Sequence, residues 1–410
     1  MTTAMDLSAF SGALKTIYSK DKVENLTYAK NPFHGMLKKD KNFVGNQMNF
    51  ALIYGNPTGG GVSIAAAQSA SQGSAIQGWQ LTRKAHYNVA AVTNETILAS
   101  ASDAGALLRA LVTEINGAMR NCIRHLAVME YGDGTGVIGT VAANTSSTNA
   151  LTLASIPSST NFEKGQWIAV FSDTSTSPTA RGARQITNIN RATGVITFGG
   201  STMSLTAGDV IVNGSGTTNS SGVGSDNDLN NVITGLAGWI PLSAPSSTLF
   251  FNVDRSADTE RLGGVRTVAT TVTIDEGIIN GLRDVARSGG SPDVVFMNFE
   301  NFASLVKLTG TQARYEEKVK VGISYSGILV NGPTGQVKVI PDLNCPGDRC
   351  YILQMDTWVL RSLGDAPAIL KPDGLELLRD ATKDQVEARI GYYAQLACSA
   401  PGYNGVVQLS

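Results

Sequence analysis

Few residues of this chain have both the type and the spacing to do chemistry. His34, His86 and His125 lie in unlike contexts, and none belongs to a nucleophile or metal-binding motif. Asp226 and Asp228, in SDNDLNN, lack the central glycine and closing glutamate of a calcium loop and read as solvated loop carboxylates. Gly134, Gly136 and Gly139 in GDGTGVIGT match a dinucleotide fingerprint in spacing. That fingerprint follows a strand and opens a helix, whereas these glycines follow a helical pattern and open a Thr/Ser/Asn-rich stretch. No Walker or GxSxG pattern occurs. Cys345 and Cys350, in NCPGDRC, flank a Pro-Gly turn and can come close, but no second Cys/His pair completes a metal site, and thiols are the default in a reducing compartment. Cys122 and Cys398 sit in apolar surroundings and read as small core residues. The expectation is a protein with no catalytic residue, no cofactor and no metal.

The element that must organise the rest is Ala101 to Tyr131. Leu108, Leu111, Val112, Ile115, Met119, Cys122, Ile123 and Leu126 recur at three- and four-residue steps, which predicts a helix with one buried stripe. Ser102 or Asp103 can cap its start, and Gly132-Asp133-Gly134 stops it. At 1.5 Å per residue it would run about 40 Å, a strut longer than an ordinary globular helix. Arg109, Glu114, Arg120, Arg124 and His125 keep the stripe narrow, leaving a second face wet or free for a neighbour.

Only 16% of the 410 residues are charged, 42% are hydrophobic and 44 are glycine. A monomer so sparsely charged would dissolve poorly, and burial of surface between subunits reconciles this. With a net charge of -1 and a pI near 6.3, the chain is not a dedicated binder of nucleic acid or anionic membrane. No run of 18 apolar residues and no basic-then-apolar N-terminus occurs, so neither a membrane span nor secretion is expected.

Residues 1–41 open with an amphipathic segment, Leu7, Phe10, Leu14, Ile17 and Tyr18, and continue as a polar arm that must lie on something else. From Asn42 to Thr82 there is no charged side chain at all. Met48 to Tyr54 alternates as a strand, Asn56-Pro57-Thr58 and Gly59-Gly60-Gly61 break it, and Trp79-Gln80-Leu81 begins a return. A lone hairpin is marginal in water, so this one needs a partner surface. Phe33, Tyr54 and Trp79 are the candidate anchors between subunits, with ordinary packing inside the chain as their alternative, and Gly59, Gly60 and Gly61 supply the flexible end.

His86 to Leu98 reads as a strand leading into the long helix. Thr140 to Gly216 carries short alternating runs, Ala150 to Ala154, Gln166 to Ser172, Arg184 to Phe198 and Gly208 to Asn213, with a hairpin turn at Asn190 to Gly194; a small barrel or sandwich fits. Gly214 to Asn227 has linker composition. Thr273-Ile274-Asp275-Glu276 is a capping box for a helix bearing Ile278, Ile279, Leu282 and Val285, and Asn298 can cap another that bears Phe302, Leu305 and Val306. Strands follow at Asp293 to Met297, Val337 to Pro341, Tyr351 to Gln354 and Thr357 to Ser362, and a long strand runs from Val386 to Leu396. The fold class is α+β.

Tyr28-Ala29-Lys30-Asn31-Pro32-Phe33, Asn42-Phe43-Val44-Gly45-Asn46, Tyr54-Gly55-Asn56-Pro57 and the end Ala400-Pro401-Gly402-Tyr403-Asn404-Gly405, in this order around the long helix, resemble the major capsid proteins of tailed bacteriophages with the Hong Kong 97-type fold. The resemblance implies an N-terminal arm (1–41), an extended loop (42–84), a peripheral domain with the spine helix (85–139), an inserted small all-β domain (140–216), an axial domain (217–362) and a return to the peripheral domain (363–410). It implies a non-enzymatic virion protein that assembles with itself, as hexamers and pentamers, into an icosahedral shell in the host bacterial cytoplasm. Its further partners would be a portal protein, a scaffold protein, a decoration protein and non-specifically held double-stranded DNA, with no membrane. An encapsulin-like nanocompartment shell is the alternative. The type member's loop lysine, which forms an isopeptide bond with a neighbour, has no counterpart in Asn42 to Thr82, so linkage is expected to be non-covalent unless Lys84 takes part. The arm is too short for a fused scaffold domain, so a separate scaffold protein is expected.

Overall fold

The computed structural model describes residues 31–99, 110–215, 227–311, 320–321, 325–371, 374–380 and 382–409. The amphipathic start of the arm, the proposed caps Ser102 and Asp103, and Asp226 lie outside them. No helix among the described residues is long and apolar enough to cross a membrane.

Two sheets, a barrel and a hairpin hang on one helix. The helix spans Ala110–Met129 in its described part, about 30 Å. Cys122, Leu126 and Met129 are buried, as the apolar spacing predicts. His125 is buried too, and Arg124 donates to Glu163 at 2.5 Å and to the Thr160 carbonyl. Neither lies on the outer surface: both line a cleft that the barrel and the strand Lys84–Thr93 form over that side of the helix.

The first sheet is built on Gln385–Cys398. Lys84–Thr93 runs antiparallel along one edge of that strand, pairing Gln385 with Thr93 and Ala394 with Lys84. On the other edge lie Trp358–Ser362, Ala368–Ile369 and Leu378–Arg379, and Lys38–Asp40 adds in parallel outside Trp358–Ser362. The strand expected from His86 to Leu98 stops at Thr93, whose hydroxyl accepts from the Thr96 amide as the short helix Asn94–Ala99 begins.

The second sheet has the order Val265–Val268, Gly405–Gln408, Arg349–Leu353, Val294–Met297, Gly335–Pro341, Ile328–Gly332. Helix Ile274–Arg287 buries Ile278, Leu282 and Val285 against it. Thr273 is the N-cap by position, but its side chain makes no capping bond, so the expected capping box does not form. Asn298 does cap Phe299–Thr311, accepting from the Glu300 amide at 3.1 Å. Two strands sit in a different sheet from the one their place in the chain suggested. Trp358–Ser362 joins the first sheet and Gly405–Gln408 the second, because pairing follows a matching edge rather than nearness in sequence.

Residues 137–213 form a closed barrel. Its strands run in the order Val137–Thr140, Val210–Asn213, Trp167–Phe171, Ala180–Asn190, Val195–Phe198, Ala150–Thr152, and a bridge between Val141 and Leu153 joins the two ends. Leu151, Phe162, Ile168, Val170, Ile186, Ile196 and Ile211 fill it. The short strands Thr145–Thr148 and Met203–Leu205, not anticipated, pair beside it, with Met203 and Leu205 buried.

Candidate functional site

The hairpin Gln47–Gly55 with Ala75–Thr82 pairs in register from Gln47 opposite Thr82 to Ile53 opposite Ile76. Its root is anchored in the chain's own core. Trp79 is fully buried, with its ring 5.0 Å from Trp239 and 6.0 Å from Phe250, and the Gln80 amide donates to the Phe251 carbonyl at 2.9 Å. Arg255 lies over Phe250 at 3.8 Å and donates to the Gly238 carbonyl at 2.9 Å. Burial, and then the nearby Arg266, pull its guanidinium down to about 10.

Phe33 is buried as completely, at 5.4 Å from both Tyr131 and Phe296. Asp342 fixes the turn that holds it, accepting from the Phe33 amide at 3.2 Å, the Tyr131 hydroxyl at 3.0 Å and the Asn344 amide at 3.0 Å. Burial pushes the Asp342 carboxyl up to about 6 against those hydrogen bonds. His34 bonds Glu130 at 2.7 Å beside it. Phe33 and Trp79 therefore hold the arm's end and the hairpin to their own subunit. In the single chain both are packed inside their own subunit, as the alternative reading of these residues has it, with no side-chain surface exposed.

Tyr54 is half-buried at the hairpin's edge, where Arg261 donates to its carbonyl across a cleft of about 370 Å³. Beyond it the environment changes. From Asn56 to Ser74 every residue except Ala67 is exposed. This end carries the short helix Ile64–Ser69, capped by Ser63, whose hydroxyl accepts from the Ala66 amide at 3.2 Å. Val62 is fully exposed and Ile64 is 78% exposed, with Ile53 and Ile76 flanking them at 59% and 56%. Gly59 and Gly61 pack where a Cβ would meet Ser71 and Ala66, whereas Gly60 faces open space. The glycines serve a folded tip rather than a slack one. Nothing in this stretch carries charge, and among the described residues its backbone bonds run within the tip itself, as between Thr58 and Gln72.

Other residues with chemical potential fall elsewhere. All four cysteines are buried and free, so Cys345 and Cys350 form no disulfide. The fingerprint-like Gly136 is needed for a tight turn: its φ is +81°, and a Cβ there would meet the Asp228 carbonyl. His86 and His125, far apart in sequence, stack with ring centres 3.6 Å apart, and Asp228 bonds His125 at 2.7 Å. Asp228 is thus no solvated loop carboxylate. Strand alternation does put His86 on the face that carries Ala90 and Val92, but no spacing links 86, 125 and 228, and so the sequence hides this group.

A family model described as SU10 major capsid protein matches residues 159–393. No curated protein sequence matches the chain. Among solved structures, the capsid of Cyanophage A-1(L) superposes with a TM-score of 0.55 at 13% identity, covering 96% of each chain. The capsid of the native GTA particle does so with a TM-score of 0.51 at 9% identity, covering 98% of each. At these identities the two structures speak for the fold.

Proposed function

This chain belongs to the SU10 major capsid protein family, and from that premise we propose that the uncharged tip, Asn56 to Ser74, lies across a neighbouring subunit and closes the shell. The protein is a tailed-phage major capsid protein with the Hong Kong 97-like fold, and copies of it associate into the capsid of the virion. The family match favours this virus shell over a nanocompartment.

The observation that carries the proposal is the exposure of Val62 and Ile64 on a folded tip without charge. Exposed apolar surface of this kind gains by being covered, and it can be covered without stranding a buried ion. Several such contacts per subunit reinforce one another through effective concentration. The first sheet with the spine helix would form the peripheral part of the shell, and the second sheet the axial part around five- and six-fold axes. The barrel would project as a separate unit and offer a place for a decoration protein. Portal and separate scaffold proteins would complete assembly in the host cytoplasm, and double-stranded DNA would be held weakly and without sequence preference, given the near-neutral charge. The role needs no catalytic step. Linkage would be non-covalent, for Lys84 is half-buried at the hairpin root and donates to the Asn230 carbonyl at 2.9 Å. Mature particles should run as single subunits on denaturing gels, and a lysine-dependent ladder would contradict that.

The test places a charge on the tip. Val62→Asp with Ile64→Asp should leave soluble, folded subunits that no longer sediment as shells. Shells of ordinary size formed by this variant would overturn the proposal.

A further inference from the structure

A second cleft, of about 870 Å³, opens between the spine helix, the strand Lys84–Thr93 and the mouth of the barrel, and is unrelated to the hairpin. At its floor the backbone brings together two imidazoles and a carboxylate. His86 stands opposite Tyr392 in the first sheet, His125 comes from the helix, and Asp228 comes from the segment that follows the barrel. Asp228 Oδ2 lies 2.7 Å from His125 Nε2, and its Oδ1 lies 3.7 Å from His86 Nδ1. One ligand atom from each residue falls within 4.8 Å of the other two.

We propose that His86, His125 and Asp228 bind a divalent ion of the zinc class, which staples the base of the barrel to the helix and the first sheet. Two imidazoles and a carboxylate are a donor set for such an ion, which takes ligands at about 2.0–2.2 Å and leaves a fourth position to water from the cleft. Outer support is in place. The Tyr392 hydroxyl lies 3.2 Å from His125 Nδ1, and Asn213 donates to Asp228 Oδ2 at 2.8 Å, so both groups are already oriented.

The geometry sets one condition. The imidazole planes are within 8° of parallel, and a single ion cannot lie in both planes. Both rings line the cleft; one must turn on binding, and His86 is the freer of the two, since His125 is held on both ring nitrogens by Tyr392 and Asp228. Of the cleft's charged groups, Arg124 is neutralised by Glu163, and Arg120 and Lys164 also line the wall, which favours water or hydroxide as the fourth ligand.

The test uses untagged, unassembled full-length protein, stripped with chelator and titrated with Co²⁺ at neutral pH. The expected result is one ion per subunit with the visible absorption of a four- or five-coordinate site, displaced by Zn²⁺. Roughly a hundredfold excess of Zn²⁺ over Kd should raise the Tm by about 3 °C. His86→Ala, at the open edge of the group, should keep the fold and lose at least about tenfold in affinity. Binding that is absent or far from one per subunit would overturn the proposal. So would an affinity unchanged in both His86→Ala and Asp228→Asn, which would mark adventitious binding. Neither result bears on the tip's role in the shell.

Discussion

The barrel and the hairpin both leave the central body, and they solve the problem of apolar surface in opposite ways. The barrel's end strands meet through Val141 and Leu153, and residues such as Phe162, Ile168 and Ile196 are buried inside it. It needs no neighbour to be stable. The hairpin is equally apolar, yet only its root is covered, by Trp239 and Phe250, while Val62 and Ile64 stay in water. A closed excursion is a finished unit, whereas an open one with a rigid, uncharged end is half of an interface.

The comparison can be broken most strongly at the two covered sites. Phe162→Ala in the barrel and Trp79→Ala at the hairpin root should each cost about 3–5 kcal/mol in denaturant unfolding of the unassembled subunit. Losses below about 1 kcal/mol would mean that these residues depend on a neighbour for their packing. A smaller effect is expected where the arm's end docks. Asp342 has an ordinary value of 3.8 and is raised by burial to about 6, so between these values the folded chain holds more proton than the unfolded one. Its contribution to stability is therefore complete below about pH 4 and is lost as the pH rises through about 6. Asp342→Asn should gain on the wild type in unfolding free energy between pH 4 and 7. A difference constant with pH would contradict this.

Finer still are the tip glycines. An alanine at Gly59 would sit 2.9 Å from the Ser71 Cα, and one at Gly61 would sit 2.8 Å from the Ala66 Cβ. Both substitutions should speed amide exchange across Ile64 to Ser71, while Gly60→Ala should leave it unchanged. Smallest of all is the effect of Val62→Asp on the isolated subunit, expected within about 0.5 kcal/mol because nothing in the chain covers that residue. A larger loss would mean the tip folds back on its own body.

Periodicity and turn chemistry made much of the fold legible. The spine helix, the hairpin strands and the strand ending at Cys398 all follow from apolar spacing, which is a local property. What stayed hidden depends on partners distant in sequence. Trp358–Ser362 and Gly405–Gln408 look like any strands until their edges are known. Phe33 and Trp79 have the residue type that anchors interfaces, and the same type fills cores; only Tyr131, Phe296 and Trp239 around them decide which. His125 stands one position before the buried Leu126, and its polarity argued for the wet face until the barrel closed over it. The uncharged tip could be read directly, because the absence of charge along a whole segment needs no partner to be seen.

Hydrogen exchange across Asn56 to Ser74, measured on the unassembled subunit and on the shell at the same pH and temperature, tests the central claim most directly. The tip should exchange faster in the free subunit than in the shell, where it becomes strongly protected, while the amides of the barrel interior around Ile168 and Ile196 stay equally protected in both. Equal exchange of the tip in the two states would contradict the account.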